Sequence, residues 1–341
     1  MAKVLYFSDV HIMGVSPASR IDNFPETILN KLIEVREIGA REGVDAFLCG
    51  GDLFDSPNCP TWMVYKLVEI FKTYPAPIYG IVGNHDIYGW ELKSIDRSQI
   101  GVLIAAGVYK SLDLMPATEQ LKIGRFDITG GPLDNKDASI DSLFRFVDAN
   151  EDPDRISIHL IHHSILPSSR YLQGGIRVED IDPAVNLDLL LVGHVHMGYG
   201  EHVSAGGTCV YNAGSLARVT RDENGYVNDQ VKILLIQDAP DKETGTKFTT
   251  SEVFLKTSRP LSEVFKQSGR ADLVQARPNL GSLLSGVNLT NFKSVSGNND
   301  AVQLLMNNLN NNLEMPEHIK GIIRSTVVDK AEKNRVSGGR E

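Results

Sequence analysis

Seven residues carry the side chains that first-row metal ions use as ligands: Asp9, His11, Asp52, Asn84, His162, His194 and His196. Asp9 and His11 flank a single residue, so at a bent strand end both can turn onto one ion. His194 and His196 also lie two apart, and in extended backbone such a pair projects to one side. A bend at Gly193 would let the pair reach two neighbouring ions. Asp52 follows Gly50-Gly51, where glycine permits a sharp turn that a Cβ would obstruct. It is the candidate for a carboxylate shared between two ions. Asn84 offers an amide oxygen to a hard cation. His162 comes directly at a strand end and is favoured as a ligand over His163, which is expected to support it from behind. Singly, each residue has an ordinary alternative as a helix cap, a polar turn or a loop histidine. Together they finish five apolar runs, and that recurrence gives them weight.

Mixed imidazole and carboxylate donors suit manganese, iron or zinc better than calcium, which prefers oxygen alone. Seven ligands with one carboxylate in common match the needs of two divalent ions about 3.5–4 Å apart, with positions left for water and a phosphate. Such a centre makes hydroxide available near neutral pH for in-line attack on phosphorus. His85, beside Asn84, could steady the phosphate charge or protonate the leaving oxygen. Asp55 and Asp86 are expected to accept imidazole N–H groups and so orient the ligands.

These residues require buried strands that stop abruptly. The apolar runs at 3–7, 45–48, 78–82, 156–161 and 187–192 each read as a strand ending in one of the ligand clusters. The last is nearly all aliphatic, as a strand covered on both faces should be. Between the first two, residues 19–43 place Ile28, Leu32, Val35 and Ile38 at helical spacing. A second helix is predicted over 61–73, with Thr61 as its cap and Val64, Leu67, Val68 and Phe71 on one face. Residues 101–107 predict a short helix and turn, 126–129 a strand and 138–147 a helix. The β-rich segments at 209–211, 231–236 and 251–255 predict a second sheet. Past 259 the pattern weakens: 261–265 reads as helical, 288–312 is rich in Asn, Ser and Gly, and 317–333 carries an apolar stripe at Ile319, Ile322, Ile323 and Val327. That stripe suits either packing on the body or docking of a partner.

The chain has 341 residues, 42% of them hydrophobic, and a formal net charge of −9. The charge argues against general electrostatic affinity for nucleic acid or an anionic membrane, although metal ions can supply positive charge locally. Residues 259–341 carry 11 Lys and Arg against 8 Asp and Glu, leaving 23 against 35 before them. This shift predicts a core over 1–258 and a C-terminal extension over 259–341. Three cysteines without ligand spacing predict reduced thiols and a cytoplasmic setting. No apolar run approaches the length of a membrane span.

The order Asp9-x-His11, Gly51-Asp52-x-x-Asp55, Gly83-Asn84-His85-Asp86, His162, Gly193-His194-x-His196 resembles the calcineurin-like metallophosphoesterase superfamily. The resemblance implies an α/β fold with two mixed β-sheets in a sandwich flanked by helices. It implies one ion on Asp9, His11, Asp52 and His196, another on Asp52, Asn84, His162 and His194, and His85 as the catalytic histidine. Within the superfamily, Gly50-Gly51-Asp52-Leu53-Phe54-Asp55 and Asn212-Ala213-Gly214-Ser215-Leu216-Ala217-Arg218-Val219 are most similar to SbcD-type DNA nucleases of double-strand-break repair. In that family a proline stands where this chain has Ala213. The narrower resemblance implies DNA as substrate, a homodimer, a DNA-facing cap after the core, and a C-terminal segment docking on an SbcC-type coiled-coil ATPase. The tail is short for a full cap. Two other readings stand beside it: a phosphoesterase acting on a small molecule or protein, which the acidic body suits, and a non-catalytic scaffold. Retention of every ligand type and of His85 speaks against the scaffold.

Overall fold

Strand β1 (Lys3–Phe7) alternates between two apolar environments, and this alternation sets the layers of the molecule. Val4 and Tyr6 face a second sheet, whereas Leu5 and Phe7 face helices. The computed structural model describes residues 1–116, 119–131, 133, 144, 152–167, 175–182, 185, 187–219, 230–240 and 245–266. All belong to one compact unit, Met1–Gln267; a second unit, Ser268–Glu341, lies outside the described residues. So do the helix expected at 317–333, any cap, and, Phe144 apart, the helix expected at 138–147.

After β1 come helix α1 (Phe24–Glu42), β2 (Ala46–Cys49), helix α2 (Thr61–Phe71), β3 (Ile78–Gly80), helix α3 (Gln99–Ala105) and β4 (Lys110–Ser111). Asn23 caps α1 through Glu26 N–H, and Gly43 closes it at φ +65°, a conformation that glycine adopts without penalty. Its buried stripe, Ile28, Leu32, Val35 and Ile38, packs on the first sheet. Each such side chain contributes about 1.5–3 kcal/mol by leaving water. Helix α2 starts at Thr61 itself, with Pro60 in the cap position and no side-chain cap bond.

The remaining strands are β5 (Leu121–Ile123), β6 (Phe126–Gly130), β7 (Ile156–His162), β8 (Ile165–Leu166), β9 (Ile176–Arg177), β10 (Leu189–Gly193), β11 (Gly200–Val203), β12 (Cys209–Asn212), β13 (Lys232–Gln237) and β14 (Thr249–Phe254). A final short helix, α4 (Leu261–Val264), follows. The first sheet has the order β14-β13-β1-β2-β3-β4 and the second β11-β12-β10-β7-β6-β5. In the first, β1 to β4 run parallel and β13 joins β1 antiparallel. In the second, β6, β7, β10 and β12 run parallel between antiparallel edges. Both sheets are therefore mixed, and the class is α/β. Val4, Tyr6, Leu48, Ile158, Leu160, Leu189, Leu191 and Ile236 fill the space between them.

The expectation of a second sheet built from 209–211, 231–236 and 251–255 is corrected. The β13–β14 hairpin extends the first sheet from β1, while β12 pairs with β10 in the second. Each segment continues a sheet begun far earlier in the chain. Past the shift in charge at 259 the described residues stay within the same compact unit. Val264 and Phe265 are buried, and Lys266 N–H donates to Ser19 O at 3.0 Å.

Candidate metal centre

The carboxyl ends of the parallel strands β1, β2 and β3 in one sheet meet those of β7 and β10 in the other, and all seven candidate ligands stand there. Turns after β1 and β2 run side by side: Asp9 N–H donates to Gly51 O at 3.1 Å, His11 N–H to Asp52 O at 3.0 Å and Ile12 N–H to Leu53 O at 2.9 Å. Four of the seven sit in left-handed backbone, Asp9 at φ 53°, His11 at 45°, Asp52 at 48° and His194 at 75°. Non-glycine residues seldom adopt this region, and such strain collects at functional sites. Room for the turns comes from glycine. A Cβ on Gly83 would lie 2.1 Å from Asp52 Oδ1, and one on Gly193 would lie 2.1 Å from Gly50 O.

The donor atoms form two groups with Asp52 in common. Those of Asp9, His11, Asp52 and His196 all lie within 4.8 Å of one another, and so do those of Asp52, His162 and His194. His11 Nε2 is 3.8 Å from Asp52 Oδ2 and 4.0 Å from Asp9 Oδ1, and His196 Nε2 is 3.6 Å from Asp9 Oδ1. Asn84 Oδ1 lies 3.1 Å from His194 Nδ1 and joins the second group. Asp9 and Asp52 also brace the opposite turns, accepting His194 N–H at 3.0 Å and His85 N–H at 2.8 Å.

Whether these residues fit divalent ions is tested by His162. Its Nδ1 faces Gly50 O at 2.8 Å, and the carbonyl can only accept, so this nitrogen carries the proton. The lone pair of Nε2 is thereby aimed at Asp52 Oδ2, 3.0 Å away, and Nε2 is buried without a hydrogen-bond partner. Two electron-rich atoms in this relation require a proton or a cation between them. Burial opposes charge on Asp52, yet the neighbouring imidazole of His162, and after it those of His11 and His85, holds its carboxyl well below the usual range. Burial likewise disfavours the imidazolium of His162, and the Asp52 carboxylate reverses this and raises it. His194 is brought down to about 4 by burial and by the charge of His162. Facing ring nitrogens of His11 and His196, 2.9 Å apart, pose the same demand. The donor set fits two divalent cations.

The other site candidates fall close by. His85 points Nδ1 at the Asp55 carbonyl at 2.8 Å, which leaves Nε2 to exchange a proton. Its ring meets that of His11 edge-on at 4.9 Å. An Asp55 carboxylate oxygen lies 3.4 Å from His11 Nδ1, near enough for an ion-pair contact but without a hydrogen bond between them. Asp86 serves differently from the expectation. Its carboxylate accepts the N–H groups of Leu53 at 3.3 Å, Phe54 at 2.8 Å and Gly83 at 2.9 Å, not an imidazole. It ties the β2 and β3 turns together. Burial, with the charge of Asp52, pushes its carboxyl up. His163 is half-buried and joins neither ligand group.

Sequence reasoning missed what holds the turns from behind. Ser215 Oγ donates to Asp9 O at 2.8 Å and Ser215 N–H to His196 O at 3.0 Å.

The chain belongs to the calcineurin-like phosphoesterase family, whose model matches residues 2–198. The family defines a hydrolase class of the dinuclear-metal type. No curated protein matches the chain. Among solved structures it is similar to TT1561 of Thermus thermophilus, at 15% identity and a TM-score of 0.44, covering 73% of this chain and 98% of that one. It is also similar to an archaeal phosphodiesterase, at 14% identity and a TM-score of 0.36, covering 74% and 99%. A dimetal phosphatase from Danio rerio aligns at 11% identity and a TM-score of 0.45, covering 74% and 98%. No helix among the described residues is long and apolar enough to cross a membrane.

Proposed function

We propose that the protein is a metal-dependent phosphodiesterase acting on DNA, an SbcD-type nuclease that works with an SbcC-type coiled-coil ATPase. The observation that carries the hydrolytic reading is the pair of ligand groups meeting at Asp52, with His85 beside them. Two divalent ions, manganese by preference and iron or zinc as alternatives, would supply Lewis acidity and positive charge opposite a phosphate. Asp9, His11, Asp52 and His196 would hold one, and Asp52, Asn84, His162 and His194 the other. His85, oriented by the Asp55 carbonyl, presents Nε2 to protonate the departing oxygen. DNA as substrate is supported by the motifs at 50–55 and 212–219, as is a homodimer.

A second reading, a phosphoesterase for a small or protein ester, is favoured by the net charge of −9, because backbone contacts to nucleic acid use Lys and Arg. The two separate in one assay. Linear duplex DNA and a generic phosphodiester are offered in parallel with manganese and then with chelator. Chelator-sensitive DNA cleavage, lost in His85→Ala, is the expected result. Turnover of the small ester alone, unaltered by the ATPase, would overturn the nuclease.

A further inference from the structure

We propose that Lys31 and Arg20, neither of them a candidate ligand, are positioning residues that hold residues 214–218 as a clasp across the Asp9 and His196 turns. The proposal rests on the two-ion reading of the site and goes beyond it by naming what sets one half of the centre.

The clasp touches both turns through backbone. Leu216 N–H donates to Ser8 O at 3.0 Å, Ala217 N–H to Asp9 O at 3.3 Å and Ser215 N–H to His196 O at 3.0 Å. Ser215 Oγ adds its bond to Asp9 O at 2.8 Å. A Cβ on Gly214 would lie 2.9 Å from His196 O, so the approach is close. Asp9 comes from the first sheet and His196 from beyond the second. The clasp therefore joins two ligands of the same ion across the gap between the sheets.

With its N–H groups turned to the site, the clasp offers three successive carbonyls, of Leu216, Ala217 and Arg218, and all three are met by two buried basic side chains. Lys31 Nζ donates to Leu216 O. Arg20 Nη1 donates to Ala217 O at 3.3 Å and to Arg218 O at 2.7 Å. Arg218 itself sits at φ 51°, the turn that brings these carbonyls round. Lys31 is 1% exposed and Arg20 5%. Asp22 grips the Arg20 guanidinium at two oxygens, each at 2.7 Å, and so fixes its plane. A lysine on the buried stripe of α1 is costly: burial, then the charges of Arg218 and Arg20, bring its ammonium well below its ordinary value. Burying such a group is tolerated where it satisfies an acceptor that would otherwise be orphaned. Here that acceptor belongs to the strained turn system of the metal centre.

The test counts ions. Purified full-length protein, Lys31→Met and Lys31→Arg are loaded with manganese, and bound metal is titrated while circular dichroism monitors the fold. The wild type takes two ions; a wild type that took none would remove the two-ion reading itself, whatever Lys31 does. For Lys31→Met the expected result is one ion bound as in the wild type and the other weakened at least tenfold, with partial recovery in Lys31→Arg. Equal weakening of both ions, or two unaltered affinities in a variant with native dichroism, would overturn the proposal. Should Lys31→Met fail to fold, Ser215→Ala removes the shorter of the clasp's two bonds to Asp9 O, leaving that of Ala217 N–H and the contacts of Lys31 and Arg20 in place. It must show the same one-sided loss, and normal binding of both ions by that variant would overturn the proposal equally.

Discussion

At the scale of single residues, Asp52 and His85 are placed differently: Asp52 is common to both candidate-ligand groups, whereas His85 clusters only with His11 and Asp55. Asp52→Ala should release metal and abolish turnover together. His85→Ala should keep its metal and lose about 10²–10⁴-fold in turnover, the usual contribution of a positioned acid. Elemental analysis beside a phosphodiester assay checks both, and equal metal loss would defeat the role given to His85. The cysteines give a second residue-level outcome. Burial pushes the thiols of Cys49 and Cys209 up to about 12 and that of Cys59 to about 11. A raised value keeps each thiol protonated at pH 8, where the thiolate is the reactive form. Ellman's reagent should therefore find less than one reactive thiol per native chain and all three in guanidinium.

At the scale of elements, the site depends on turns being tied to one another, and Asp86 is the tie between those of β2 and β3. Removing its carboxylate in Asp86→Ala leaves three buried N–H groups without an acceptor, a cost of about 3 kcal/mol or more. Urea unfolding should show it, with Asp86→Asn losing less because one acceptor oxygen remains. The strand ends that bear the candidate ligands were legible in the sequence because each joins an apolar run to an abrupt polar stop. Which strands lie side by side was not, because pairing over long separations leaves no periodic trace. Thus the β13–β14 hairpin was assigned to the wrong sheet. Strands of two to four residues, such as β4, β8 and β11, are too short to show alternation. Asp86 was misassigned because it follows a candidate ligand, Asn84, while its actual partners are backbone N–H groups, Gly83 of its own turn and Leu53 and Phe54 of the β2 turn. Lys31 did leave a signal: it falls between Ile28 and Leu32, inside the buried stripe of α1, where a charge demands a partner.

At the scale of the whole molecule, two sheets contribute to one centre, so bound metal should stabilise their association. A ligand that binds the native state alone adds about 2.7 kcal/mol at a hundred times its Kd. Chelation should accordingly lower Tm, and manganese should restore it in a concentration-dependent way. An unaltered melting curve would mean that no ion bridges the sheets. The central claim is that Asp52 lies between two ions, one held with Asp9, His11 and His196 and the other with Asn84, His162 and His194. Anomalous diffraction from crystals grown with manganese tests it most directly. The account predicts two peaks on either side of the Asp52 carboxylate, about 3.5–4 Å apart. A single peak, or two that do not share Asp52, would contradict it.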